Sequence, residues 1–247
     1  MTKPDYAEFD NPRLARVYDS FNSLTDDRVF WLDKLKELGV QRIIDVGCGT
    51  GLLTCELAQL GYTVVGVEPA QAMLKLAQEK EGAKKVMWLL GSTEQLQGQK
   101  ADMVIMTSHV AQFFVSTEEW HKALANIYEA LEKRGVILFD SKNPLSAPWK
   151  NWSKENTQRT KTTPEGEVVF WIDAPVVSGN QVEYELHYLF SKDSEELVSK
   201  NALAYRPKDQ IMEDLKTAGF QVENVYGNWN GDEYSEDSEE IIFLAKK

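Results

Sequence analysis

Three glycines at alternate positions, Gly47, Gly49 and Gly51, follow a short apolar run, Arg42 to Val46, and precede a helix candidate, Leu52 to Leu60. Glycine at such a junction lets the backbone turn sharply and lets a ligand approach with no Cβ in the way. The helix behind it turns its free N–H groups and the positive end of its dipole toward the loop, which favours a ligand carboxylate or phosphate. A second strand-like run, Thr63 to Val67, leads directly into Glu68. A carboxylate there, about 20 residues after the first glycine, can accept hydrogen bonds from ribose hydroxyls. Glycines alone also make an ordinary strand-to-helix turn. The order strand, Asp45, three glycines, helix, strand, Glu68 is what points to a nucleoside. A dinucleotide fingerprint requires Gly-x-Gly-x-x-Gly. Leu52 stands where its third glycine would be, which disfavours NAD or FAD.

The elements that must hold these residues alternate along the chain. Asn11-Pro12 can open a helix carrying Leu14, Val17, Tyr18 and Phe21 at helical spacing. A second helix is expected from near Thr25, with Val29, Phe30, Leu32, Leu35 and Leu38 on its apolar side and Gly39 as its stop. Strands are expected at 42–46, 63–67, 86–90, 103–107 and 136–139. Helices are expected at 52–60, 70–79 and 118–133. Apolar strands alternating with helices imply a parallel sheet buried on both faces. After Asp140 the rhythm changes. A polar, turn-rich stretch (143–163) leads into three strand-like runs, 168–174, 181–190 and 196–205. The alternation of Val182, Tyr184, Leu186 and Tyr188 behind the turn Ser178-Gly179-Asn180 reads as an antiparallel meander with one buried face. A helix after Pro207 and two strands, 221–226 and 241–244, close the chain around an acidic loop. The expected organisation is a helical cap (1–40), a doubly wound α/β core (41–141 and 207–247) and a β insertion (142–206) that leaves after the fifth strand and forms a lid.

The 247 residues, 43% of them apolar, suffice for one sizeable core, and a net charge of -12 lacks the basic balance a nucleic-acid partner requires. Anionic membranes are disfavoured for the same reason. No apolar run reaches the roughly 20 residues that span a bilayer, and no signal core is evident. The two cysteines, Cys48 and Cys55, suit reduced thiols in a cytoplasmic protein. Monomer and homodimer both stay open.

The segment Asp45-Val-Gly-Cys-Gly-Thr-Gly51 closely resembles motif I of the class I S-adenosyl-L-methionine (SAM)-dependent methyltransferases, and Glu68 resembles that family's acidic ribose ligand. The resemblance covers nearly the whole core and implies a Rossmann-like, seven-stranded sheet with its last strand antiparallel. It implies SAM as cofactor and a small-molecule methyl acceptor. By the same resemblance, Asp45 orients the methionine ammonium, and Gly47, Gly49 and Gly51 let the loop wrap the methionine half. Cys48 and Pro69 fall within the two turns involved and count with these contacts. Met73 packs on the adenine, unless it merely fills the core. Ser92 stands where the family often has an aspartate near the adenine amino group. Thr93 can substitute for it, or both can be turn formers. Thr107 and Ser108 lie near the transferring methyl. Tyr18 closes over the cofactor or is simply a buried aromatic.

Methyl transfer from a sulfonium is an in-line displacement, so the enzyme chiefly aligns its reactants. A base is needed only where the acceptor must lose a proton. His109, just beyond the fourth strand, is the first choice; Tyr184 and His187 are others. His187 falls on the polar phase of its strand and His121 on a helix surface. No metal ligand set is evident. Trp149, Trp152, Phe170, Trp171, Tyr184, Tyr188 and Tyr205 could line an acceptor pocket or pack the insertion onto the core. An aromatic wall suits an ammonium acceptor as well as a planar apolar one. Residues 232–240 read as a solvated acidic loop. A nicotinamide-dependent oxidoreductase and a non-catalytic SAM-binding module are the alternative readings.

Overall fold

In a computed structural model, residues 4–22 and 26–247 are described. The expected helix start near Thr25 lies outside them. The chain opens with α1 (Ala7–Asp10), α2 (Pro12–Phe21) and α3 (Asp26–Leu38). Asn11 starts α2 as expected, its Oδ1 accepting from Arg13 N at 2.8 Å. On α3 one expected position is corrected. Val29 is 58% exposed, whereas Trp31 is buried with Phe30 and Leu35, and Leu32 and Leu38 pack against them. Residues 29–32 are four apolar residues in a row, so periodicity alone could not choose among them.

The core then alternates: β1 (Arg42–Val46), α4 (Leu52–Gln59), β2 (Thr63–Glu68), α5 (Gln71–Glu79), β3 (Val86–Leu90), β4 (Ala101–Met106), α6 (Thr117–Ala130) and β5 (Leu131–Lys142). The chain next forms α7 (Lys154–Thr157), β6 (Arg159–Thr163), β7 (Gly166–Ser178), β8 (Gln181–Phe190) and β9 (Glu195–Ala204). It closes with α8 (Lys208–Thr217), β10 (Gln221–Tyr226) and β11 (Glu240–Lys246). The main sheet has seven strands in the order β10-β11-β5-β4-β1-β2-β3. All are parallel except β11, which runs antiparallel to both β10 and β5. The expected α/β doubly wound architecture is the observed one. Both faces of the sheet are covered. Ile44, Val104, Met106 and Phe139 pack with Trp120, Leu124 and Leu215 on one side. Ile43, Ile105 and Leu138 pack with Trp31, Leu35 and Leu57 on the other. Chain order reverses between β1 and β4, so a crevice opens there at the carboxyl ends of the strands.

Two boundaries differ from the sequence reading. Helix α6 stops at Ala130, short of the expected 133, because Leu131 is buried and already pairs with Ala101. Arg134 then takes a left-handed φ of 69° and the ladder resumes at Val136 opposite Met103. The second sheet has four strands, β6-β7-β8-β9, where three were expected. Strand β6 (Arg-Thr-Lys-Thr-Thr) is an edge strand with little apolar content, which hid it in the polar stretch. The strict alternation of β8 buries Val182, Tyr184, Leu186, Tyr188 and Phe190 on one face. That face packs on Leu14 and Val17 of α2. Helices α1 and α2 are therefore sandwiched between the second sheet and the core, while α3 packs directly on the main sheet.

Candidate functional site

The crevice holds a cavity of about 1030 Å³, lined by the glycine loop, the ends of β1, β2, β4 and β5, and helices α1 and α2. That volume is at the upper end for small-molecule sites and has room for two ligands. The loop is fixed by its backbone. Gly47 N and Cys48 N both donate to Val67 O, at 2.8 and 3.1 Å, and Gly51 N donates to Cys48 O at 2.9 Å. Glycine is required at 47: its φ is 73°, and a Cβ there would sit 2.5 Å from Val110 Cγ2.

Asp45 lines the cavity at the end of β1 and is buried. Thr54 Oγ1 donates to its Oδ2 at 2.6 Å, while Oδ1 has no hydrogen-bond partner among the described residues. Burial pushes its carboxyl up to about 6, against the pull of the Thr54 hydroxyl. A buried carboxylate oxygen that has lost water without gaining a donor is costly, and a ligand ammonium would supply the donor. Glu68 is held rigidly. Gly49 N donates to its Oε2 and Ala70 N to its Oε1, both at 2.9 Å. Burial pushes this carboxyl up to about 7, although both N–H groups oppose the shift. Each oxygen keeps a lone pair for a further donor such as a ribose hydroxyl.

The cap forms the opposite wall, with Tyr6, Phe9, Tyr18 and Phe21. It is latched to the glycine loop by Asp19, whose Oδ1 accepts from Thr50 Oγ1 at 2.5 Å and whose Oδ2 pairs with Lys80 Nζ at 2.7 Å. Phe9 stacks edge-on with Phe113 and lies against Tyr18, their ring centroids 5.4 and 5.8 Å away.

At the far end lies His109, on a turn where Ser108 and His109 both take left-handed φ values, 55° and 64°. His109 N donates to Asp140 Oδ2 at 2.9 Å, which holds the turn in this strained form. The ring Nε2 lies 2.9 Å from Glu240 Oε2 and 3.2 Å from Asp140 Oδ2. Lys142 Nζ contacts the other oxygen of Glu240. Burial would push His109 down, but the charges of Asp140 and Glu240 outweigh it and hold the imidazole above its ordinary value. Glu240 stays below the usual carboxylate range because His109 and Lys142 overcome its burial. Asp140 is pushed up to about 6 by burial, and its Oδ1 has no partner among the described residues.

The structure thus brings Tyr18, Asp45, Gly47, Cys48, Gly49, Glu68, Pro69, Ser92, Thr93, Thr107, Ser108 and His109 to one cavity. Two expected residues are absent from its wall. Gly51 packs behind the loop, where a Cβ would meet Ala77 and Trp88 at 2.9 Å. Met73 is fully buried in a cluster with Ala15 and Ala70, so it fills the core. Among the described residues, none of 142–206, expected as a lid, lines this cavity; residues of the cap line it, and the second sheet packs on α2. Trp149, Trp152, Phe170, Tyr184, Tyr188 and Tyr205 belong to that packing. His187, expected to face solvent, is instead covered by Trp171, stacked with centroids 4.7 Å apart. His121 pairs with Asp214 on the surface of α6, at 2.9 Å.

Sequence reasoning missed Asp140, Glu240, Tyr6, Phe9 and Phe113. Asp140 carried a usable signal, since it ends an apolar strand as Glu68 does. Glu240 was corrected most: it opens β11 and is buried, although it had read as part of the acidic loop. Among the described residues, no helix is long and apolar enough to cross a membrane.

Residues 43–135 match the family described as methyltransferase domain. A Geobacillus sp. (strain WCH70) protein named as a methyltransferase is 28% identical, with 100% of each chain covered. A glycine/sarcosine N-methyltransferase of Aphanothece halophytica is 25% identical over 88% of this chain and 80% of its own. A solved SAM-dependent methyltransferase from Clostridium acetobutylicum ATCC 824 superposes with a TM-score of 0.78 at 16% identity, covering 95% of this chain and 97% of that one, a likeness of fold. Residues 43–135 thus carry a methyltransferase domain, with the glycine motif seated at the switch point of a seven-stranded sheet whose last strand is reversed, and the chain is similar over its whole length to class I SAM-dependent methyltransferases.

Proposed function

We propose that this protein transfers the methyl group of SAM to a small-molecule acceptor held in the same cavity. The observation that carries the reading is Asp45 Oδ1, buried beside the glycine loop with no donor among the described residues. The residues present fit the cofactor. Asp45 would receive the methionine ammonium, and the loop with the start of α4 would receive the carboxylate. Glu68 would hold the ribose hydroxyls, with Cys48 and Pro69 on either side. Ser92 and Thr93 would meet the adenine edge, and Thr107 and Ser108 would border the reacting methyl. Bound SAM supplies a methyl group on a sulfonium, a leaving group that needs no further activation.

The chain's own contribution is therefore to bind, orient and exclude water. The cap supports this, because Tyr6, Phe9, Tyr18 and Phe21 close the cavity from the side opposite the glycine loop. In this reading residues 41–141 and 207–247 bind the cofactor, the cap within 1–40 encloses it, and the insertion 142–206 braces the cap. His109, the expected general base, has its Nε2 engaged by Asp140 and Glu240, so in this reading it positions those carboxylates beside the acceptor. A small acceptor is supported by the size of the cavity and by the glycine/sarcosine N-methyltransferase relative.

Calorimetric titration with SAM and with NADH tests the proposal. SAM binds and NADH does not. Glu68→Ala weakens SAM at least about tenfold, as loss of a buried charged hydrogen-bond acceptor should. Binding of NADH in preference to SAM sinks the reading.

A further inference from the structure

Two buried carboxylates in this cavity each keep one oxygen without a donor among the described residues, Asp45 Oδ1 and Asp140 Oδ1. The strand registers separate them. Asp45 lies opposite Ile105 on β4, and Ile105 lies opposite Leu138 on β5, two residues short of Asp140. Two strand spacings and two residues of rise put the Cα atoms roughly 12 Å apart. The two carboxylates thus stand on separate strands of the crevice, on either side of β4.

We propose that the acceptor is an amine, taken up as its ammonium form at Asp140, with His109 and Glu240 as the groups that position that carboxylate. This rests on the methyltransferase reading. Three observations support it. Asp140 is fully buried and lines the cavity, yet Oδ1 has lost water without gaining a hydrogen bond. The cavity as a whole opposes an anionic acceptor, because Asp27, Glu118 and Glu119 also line it. Among the described residues the one lysine on the wall, Lys122, is already paired with Glu94 at 2.8 Å. Aromatic rings complete the enclosure, and their faces attract an ammonium. His109 and Lys142 balance Glu240 and the second oxygen of Asp140, so the free oxygen is the point left for an incoming cation.

An ammonium nitrogen has no lone pair, so it must lose one proton before it can act as a nucleophile. That proton passes to Asp140 Oδ1, giving a neutral amine with its lone pair and a neutral carboxylic acid. Burial, which already raises this carboxyl, favours that transfer.

The test uses the protein loaded with S-adenosylhomocysteine, the demethylated cofactor, and reads binding rather than turnover. Benzylamine and benzyl alcohol have the same shape and differ in charge at neutral pH. Calorimetry is expected to show benzylamine binding at least about tenfold tighter. Asp140→Asn keeps an acceptor for His109 N and should bring the two Kd values together, while S-adenosylhomocysteine binds within about twofold of wild type. Glu240→Gln should weaken benzylamine several-fold, and it serves as the second variant if Asp140→Asn does not fold. Equal affinities, tighter alcohol, binding of neither, or an unchanged benzylamine Kd in both variants overturns the proposal. So does stoichiometric Mn2+ binding lost in Asp140→Asn, which would make the cluster a metal centre. Failure of S-adenosylhomocysteine to bind strikes the methyltransferase reading instead, and the amine preference is then read from the same titration without it.

Discussion

The Asp19 carboxylate of the cap accepts the Thr50 hydroxyl of the glycine loop at 2.5 Å, and its other oxygen pairs with Lys80 behind α5. One side chain thus ties the helix that carries Tyr18 to the loop it covers. Asp19→Ala removes both ties. Hydrogen bonds to a charged group contribute about 1.5–3 kcal/mol each, less where solvent screens them. The expected result is a SAM Kd raised about tenfold or more, with the core still folded. Calorimetry and far-ultraviolet circular dichroism check this together. A Kd unchanged in Asp19→Ala would show that the cap holds its place without the latch.

Gly47 is the position least able to accept a side chain. Alanine at φ 73° costs about 1–2 kcal/mol in backbone strain, and its Cβ would strike Val110. Gly47→Ala is expected to lower stability by about 2–4 kcal/mol and to abolish SAM binding. Adding Val110→Ala removes the clash but not the strain, so it should recover only part of the loss. Full recovery in the double variant would mean that the dihedral is not a cost. Urea denaturation of the three proteins decides.

Glu8 sets a pH dependence. It is buried between the cap and the second sheet, where Tyr188 Oη donates to its Oε2 at 3.4 Å and its own N–H donates to Ser199 Oγ at 2.9 Å. Burial pushes its carboxyl up to about 8, although Tyr188 and Asn201 pull against the rise. The unfolded chain loses this proton near 4.5. Below that pH both states hold the proton and the full stability is present. As pH rises toward about 8, only the folded state holds it, so stability falls by up to about 1.4 kcal/mol per pH unit. Denaturant midpoints at pH 5 and pH 8.5 should drop more for wild type than for Glu8→Gln. A parallel drop in both proteins contradicts the assignment to Glu8.

What could be read in advance follows from how local each requirement is. Gly47, Asp45 and Glu68 answer to one strand, one turn and the next strand, so spacing along the chain revealed them. A parallel sheet covered on both faces followed from the alternation of strands and helices for the same reason, whereas its seven strands and reversed last strand were expected from the resemblance. Glu240 answers to the pairing of β11 with β5, where it sits opposite Lys142. No local pattern distinguishes it from the acidic residues before it. Trp31, rather than Val29, faces inward because of what lies across from α3, and that is again non-local. The insertion aromatics illustrate the limit most plainly. Their alternation revealed a buried face but not that α2 would be the surface it meets.

The placement of β11 between β10 and β5 also orders events in time. The nucleoside-binding turn lies within residues 45–68, whereas Glu240 lies far later along the chain, on a strand that pairs with β5 and β10. During synthesis one half of the working surface is therefore made long before the other. The wall beside His109 is complete only when β11 sits between its two neighbours.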